Sequence, residues 1–534
     1  MAERDARDAG AAEPVFTAQF VYDYAAKNAV CVRPLLRQVT DRETGDVRRL
    51  VIPCGSTREV VCPPCAEKAR LLRMQQCAEG WHLEEDPLAD GTADPEDLAD
   101  ESEDQADDLD SDSAVGAGQA TRRARSTRRR ADVEKLPRVP AEDRSVGRTF
   151  TAPDGTTYRP SMFVTLTLGS YGKVVAAKPG AHVPGAGSPV FPDRYDYRSA
   201  AVEAMFFSRL FDRWMQNLRR CAGYKVQYFG AIEPQRRLAP HIHLAIRGAI
   251  PRAVIRAVTR ATYLQLWWPS FEEPVYVNHL PWWDGQTGVY REPETGCRLP
   301  TWDQALDDVD GTEEPAVVMQ FGNQVDIKGI IAPSADADRT VRYLAKYLTK
   351  SVSDTYTNTE HPDARYEAHI DRLHDELVFL PCSPECANWL RYGVQPKNPC
   401  PGLVPGMCAS RSHDRENLGL GGRRVQVSRA WSGKTLQEHR ADRAAVVREV
   451  LAEAGIAAPE TDRLAATVLA ADGLPRYLWE PQLADYADYV HVVLGSVIET
   501  IRWREEYEEA KRRAASRAGP EQPVETNSAT APAA

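Results

Sequence analysis

The sequence contains no stretch approaching the roughly 18 consecutive apolar residues of a membrane-spanning helix, so no spanning segment is predicted. Its N-terminus, MAERDARDAGAAEP, lacks the apolar region of a secretory signal, and the chain reads as cytoplasmic. Lysine and arginine are absent from residues 84–112, where fifteen Asp or Glu stand. Those fifteen charges exceed the net charge of −11, so the rest of the chain is net basic. A basic run, TRRARSTRRR at 121–130, follows directly. Neither run holds enough apolar surface to fold alone, so residues 86–148 read as a disordered linker. No internal repeat is visible. A phosphate-binding loop is also missing. WSGKT at 431–435 ends like one, but Ser428 occupies the position that needs glycine. No strand and aspartate suited to a helicase motor accompany it, so ATP binding here is not expected.

Cysteine is present, but not in a disulfide pattern. The eleven cysteines are unevenly spaced, and in a cytosolic chain they point to metal sites. Cys382 and Cys386, with Cys408 and His413, offer three thiolates and an imidazole, a donor set for structural zinc. Cys400 is a spare ligand. Near the N-terminus, Cys62-x2-Cys65 forms one firm pair, completed by Cys31 and Cys54, with Cys77 as a competitor.

Apolar periodicity places the ordered elements. Residues 66–81 are predicted helical. MFVTLTLGS (162–170) reads as a buried strand and 198–221 as an amphipathic helix. YKVQYFGAIE (224–233) and HIHLAIRG (241–248), joined by a short turn, read as an antiparallel hairpin. PRAVIRAVTRATYLQLWW (251–268) and DRTVRYLAKYLTKSV (338–352) read as helices, and a Trp-rich loop covers 269–317. Helices dominate 435–515, followed by a low-complexity tail at 516–534. The expected fold class is α+β, an antiparallel sheet flanked by helices.

The stretch PHIHLAIRG carries the chemistry. In a strand, side chains alternate faces, so His241 and His243 share one face and Ile242 and Leu244 the other. Glu233 on the partner strand can lie beside them, completing a three-ligand open site for a divalent ion. In the 338–352 helix, Tyr343 and Tyr347 are four apart and share a face, with Lys346 and Lys350 three residues after each. A tyrosine oxygen attacks a phosphodiester when a metal polarises the phosphate and cations offset the developing charge.

FVTLTL (163–168), Glu233, PHIHLAI (240–246) and YLAKYLTK (343–350), in that order, resemble the HUH endonucleases that initiate rolling-circle replication. The stretch from Cys382 to about residue 436 looks like the C-terminal half of initiators from actinomycete plasmids and integrative conjugative elements. The resemblance implies an HUH-type sheet and Mg2+ or Mn2+ held by Glu233, His241 and His243. It implies a tyrosine that becomes linked to the 5′ phosphate of a nicked origin. Tyr347 fits the motif best as the first nucleophile, with Tyr343 second and Lys346 or Lys350 near the phosphate. Partners implied are double- and single-stranded origin DNA and a host helicase and polymerase. The expected organisation is a zinc-binding segment (1–85), the linker (86–148), the endonuclease domain (149–375), a zinc-binding module (376–434), the helical region (435–515) and the tail (516–534). A relaxase or transposase would use the same chemistry, and a non-enzymatic zinc-containing DNA-binding protein would leave the histidines dispensable.

Overall fold

The computed structural model describes the chain except for residues 1–15, 84–129, 152, 154, 156, 310–313, 333, 347, 357–362, 422–423, 454–463, 466, 483–485 and 519–534. The chain divides into two units, Met1–Leu72 with Leu436–Ala534, and Arg73–Thr435. Helix α1 (Ala18–Lys27) opens on Thr17, whose hydroxyl accepts the Phe20 N–H. Strands β1 (Leu35–Asp41) and β2 (Val47–Ile52) pair antiparallel through a turn with Gly45 at φ 76°. Helix α2 (Pro63–His82) starts on prolines, which suit a first helical turn, and belongs to the second unit from Arg73 onward.

The Arg73–Thr435 unit is built on one antiparallel sheet. Its strands are β3 (Phe150–Thr151), β4 (Thr157–Leu168), β5 (Tyr228–Pro234), β6 (Pro240–Arg247), β7 (Tyr263–Leu266), β10 (Val317–Ala332) and β11 (Val425–Val427). A separate hairpin joins β8 (Trp282–Asp284) to β9 (Val289–Arg291). The main order is β11-β5-β6-β4-β10-β7, so the histidine-bearing β6 is central. Helices α3 (Tyr197–Ala222), α4 (Arg252–Ala261), α5 (Trp302–Asp307), α6 (Ala335–Leu344) and α7 (Ala364–Phe379) complete the expected α+β architecture.

The two sheet faces have different cores. Val164, Leu166, Ile242, Leu244 and Ile246 bury against Phe207, Leu210, Phe211, Trp214 and Leu218, the apolar stripe of α3. That helix begins on Asp196, which caps the Ser199 N–H, and ends at Gly223 with φ 74°. On the other face, Phe229, Ala231, Ala245 and Ile330 meet Ala337, Val341 and Leu344 of α6, together with Cys77, Trp81 and Trp431. Trp81 Nε1 donates to Ser161 Oγ at 2.8 Å. Arg247 lies over the Trp431 ring and donates to the carbonyls of Gly80, Ala430 and Trp431. Gly80 faces that tryptophan so closely that a Cβ there would stand 2.2 Å from Trp431 Cδ1.

The remaining chain returns to the first unit as α8 (Leu436–Glu453), β12 (Tyr477–Pro481) and α9 (Tyr486–Ala518). Strand β12 pairs with β1, giving the order β12-β1-β2. Val493 and Val497 pack with Val21, Ala25, Val30 and Val32. No described helix is long and apolar enough to cross a membrane.

Several sequence expectations need correction. The helix expected over 338–352 stops at Leu344. Beyond it, Ser351 and Thr355 hydrogen-bond locally, and the Val352 N–H donates to the Glu416 carbonyl, so these groups do not continue a helix. The segment expected as one helix over 251–268 is helical only to Ala261. Its alternating second half forms β7 against Val317–Gln320. Strand β10 was not anticipated, nor was β12. The linker expected over 86–148 is ordered in its last part. The N–H groups of Val139 and Glu142 donate to the carbonyls of Arg220 and Gly223, and Ser145 is buried. Its acidic run, and all of its basic run except Arg130, lie outside the described residues. The tail expected from 516 begins inside α9, and 519–534 lie outside the described residues.

Candidate metal centre and tyrosine site

The β5–β6 hairpin sets Glu233 directly opposite His241, and β4 sets Thr167 opposite His241 and Thr165 opposite His243. All these side chains share the α6 face of the sheet. Strand alternation therefore brings the three predicted ligands together, all buried. Each offers a ligand atom, and those atoms lie within 4.8 Å of one another. The two Nε2 atoms of His241 and His243 are 2.9 Å apart, and Glu233 Oε2 is 3.9 Å from His243 Nε2. Thr165 Oγ1 lies 2.8 Å from His243 Nδ1 and fixes that ring. Glu233 Oε1 and His241 Nδ1 have no hydrogen-bond partner among the described residues. An unpartnered buried carboxylate oxygen beside two converging imidazoles is a donor set that fits a divalent cation.

Electrostatics agree with that geometry. Burial pushes His241 down to about 4 and His243 down to about 3, so both rings are neutral and keep lone pairs to donate at neutral pH. Burial pushes Glu233 up to about 7, against the opposing pull of Arg424 and Lys346.

Tyr343, on the last turn of α6, reaches the same place. Its hydroxyl is 3.2 Å from His243 Nε2. Phe163 stacks on His243 at 5.6 Å and meets Tyr343 edge-on at 6.0 Å, fixing both rings. Tyr343 remains 43% exposed. Lys346 and Lys350 are exposed in the segment that follows. Tyr347 lies outside the described residues.

Both cysteine groups assemble from the predicted ligands. In the first unit, Cys31, Cys54, Cys62 and Cys65 bring their Sγ atoms within 4.8 Å of one another, with Cys31 and Cys62 3.7 Å apart. In the second, Cys382 and Cys408 are 3.9 Å apart, and Cys386 Sγ lies 3.7 Å from His413 Nε2. Tetrahedral zinc with bonds of about 2.3 Å places its sulfurs roughly 3.8 Å apart, so both groups have the dimensions of a zinc site. His413 Nδ1 lies 2.7 Å from the Leu377 carbonyl, which turns Nε2 toward the thiols. The two reserve cysteines are not used. Cys77 packs with Trp81 and Trp431, and Cys400 is exposed outside the group.

Sequence reasoning missed Arg424. It is buried, its Nε donates to the Ile232 carbonyl at 3.1 Å, and its Nη1 donates to the Lys350 carbonyl. No local pattern in GGRRVQV distinguishes it from a surface arginine.

The family described as "RepSA: Replication initiator protein, pSAM2" matches residues 17–494. No curated protein and no solved structure matches the chain.

Proposed function

From the premise that this chain belongs to the RepSA family of replication initiator proteins, we propose that it starts replication by cutting one DNA strand at the origin with a tyrosine nucleophile. The observation that carries this reading is the Tyr343 hydroxyl 3.2 Å from His243, at a buried Glu233–His241–His243 cluster. Those three residues would hold Mg2+ or Mn2+, which when bound polarises the scissile phosphate. Phe163 and Thr165 hold the His243 ring in place. Tyr343 Oη forms a bond to phosphorus as the bond to the 3′ oxygen breaks. The phenolic proton leaves Tyr343, and the 3′ oxygen takes up a proton to become a hydroxyl. The chain then carries the 5′ phosphate, and the free 3′ hydroxyl primes synthesis. Lys346 and Lys350, exposed in the segment that follows Tyr343, would supply positive charge to the phosphate. The phosphotyrosine conserves the energy of the broken bond, so rejoining needs no nucleotide. Tyr347 serves as the second nucleophile, which cuts the regenerated origin. The geometry at Tyr343 is the reason for exchanging the two roles expected from the motif.

The zinc groups in this reading are structural, and the bound DNA is the single-stranded origin. A test incubates the purified protein and Mn2+ with supercoiled DNA carrying the candidate origin. Nicking with a protein–DNA adduct is expected. An intact plasmid at every protein concentration, with the protein folded and metal present, overturns the reading.

A further inference from the structure

Arg424 is attached to both halves of the site. Its backbone carbonyl accepts the Ile232 N–H at 2.7 Å, and its Nε returns a bond to the Ile232 carbonyl at 3.1 Å. Ile232 immediately precedes Glu233, so the guanidinium grips β5 beside the metal carboxylate. Nη1 donates to the carbonyl of Lys350, at the far end of the segment that starts at Tyr343. Nη2 is buried and has no hydrogen-bond partner among the described residues. Arg424 is only 7% exposed, and its charge favours the ionised Glu233 and the neutral His241.

A buried guanidinium is costly unless its donors are used. Here two carbonyls use them, and they belong to segments 118 positions apart in the chain. Arginine suits the task because its planar fork holds two acceptors in fixed directions, which a lysine ammonium cannot do. The segment it holds is no longer helical after Leu344: the Ala345 and Lys346 N–H groups still donate to the Val341 and Tyr343 carbonyls, and among the described residues no bond to α6 reaches further along it. Two described bonds tie its far end, this one and the Val352 N–H to the Glu416 carbonyl.

We propose that Arg424 is a positioning residue for strand cleavage: it fastens the far end of the segment that follows Tyr343 to the strand bearing Glu233 and so sets where that segment's lysines meet the phosphate. The inference rests on the nuclease reading above. It concerns the register of two protein segments and requires no direct contact between Arg424 and DNA.

The test compares the wild-type protein with Arg424→Gln and Arg424→Lys, using two independent readouts. Hydrogen exchange reports the anchor without any catalysis: amides from Ala345 to Ser353 exchange faster in Arg424→Gln while β6 amides stay protected. Single-turnover adduct formation on a single-stranded origin oligonucleotide then falls about 100-fold, the cost expected of a misplacement near 1 Å. Oligonucleotide and Mn2+ affinities stay unchanged. Arg424→Lys, which keeps the charge and the fold, is also slow. Unchanged exchange overturns the proposal, as does a normal adduct rate in both variants. A parallel loss of Mn2+ affinity overturns it too, by making Arg424 a support for the metal ligands alone. If exchange quickens but the wild-type protein never cleaves, the nuclease reading has failed and takes the positioning role with it, while the anchor stands.

Discussion

The Tyr343 hydroxyl and His243 Nε2 lie 3.2 Å apart, although 100 positions separate the two residues in the chain. Strand alternation fixes one partner and the last turn of α6 fixes the other. Tyr343→Phe is therefore expected to lose adduct formation on an origin oligonucleotide, while Tyr347→Phe keeps it. Trapping the DNA-linked peptide and sequencing it by mass spectrometry reads the attachment point directly. An adduct on Tyr347 alone reverses the assignment.

The buried triad gives a second prediction. His241→Ala and His243→Ala are expected to lose Mn2+ binding by calorimetry and to lower cleavage by more than about 100-fold, since losing even an outer partner of a metal ligand costs 10–100-fold. Thr165→Val removes the hydroxyl beside His243 Nδ1. It should weaken Mn2+ binding by about 10-fold and leave the melting temperature unchanged.

Metal analysis of the purified protein should find about two zinc ions per chain, one for each cysteine group. Cys65→Ser and Cys386→Ser should lower thermal stability and zinc content together. A folded protein with no zinc and freely titrating thiols excludes both sites.

Gly80 offers a test of packing. Alanine in a helix is ordinarily better than glycine by about 1 kcal/mol. Here its methyl group would collide with Trp431, so Gly80→Ala should destabilise the Arg73–Thr435 unit by about 1–3 kcal/mol in denaturant titration. A neutral or stabilising result would show that the tryptophan moves aside freely.

A pH prediction comes from His369, which lies 2.9 Å from the Tyr197 hydroxyl and is packed against Tyr195 and Tyr366. Burial pushes it down to about 4, whereas an unfolded histidine sits near 6.5. Between those values the unfolded chain binds the extra proton, so this group's contribution is full above about 6.5 and is lost as pH falls toward about 4. Its share of the slope is at most about 1.4 kcal/mol per pH unit. His241 and His243 titrate in the same direction, so the reading is the difference between wild type and His369→Gln. Equal slopes would refute it.

The hairpin and its cluster of Glu233, His241 and His243 were legible because a period of two and a short turn are local signals. The cysteine groups were legible because few residue types bind zinc. Strand β10 was not, because residues such as Asn323, Gln324, Asp326 and Lys328 leave much of it exposed and break the apolar pattern. The length of α6 was misjudged because Tyr343-Leu-Ala-Lys continues a good helical pattern, while the chain leaves the helix at Ala345 and the Lys346 N–H turns to the Tyr343 carbonyl. Arg424 acts through two backbone carbonyls, and a sequence carries no mark of which carbonyls an arginine will meet.

The sheet β12-β1-β2 has a consequence for biosynthesis. Its middle strand, β1, is made early on the ribosome, yet its second neighbour is Tyr477–Pro481. Until that stretch emerges, β1 presents an open edge, the kind of template that recruits other chains. The Arg73–Thr435 unit, by contrast, can close before then. Interrupted translation would thus release a chain with its tyrosine site built and its N-terminal sheet unfinished, a product marked for aggregation or proteolysis before it meets an origin.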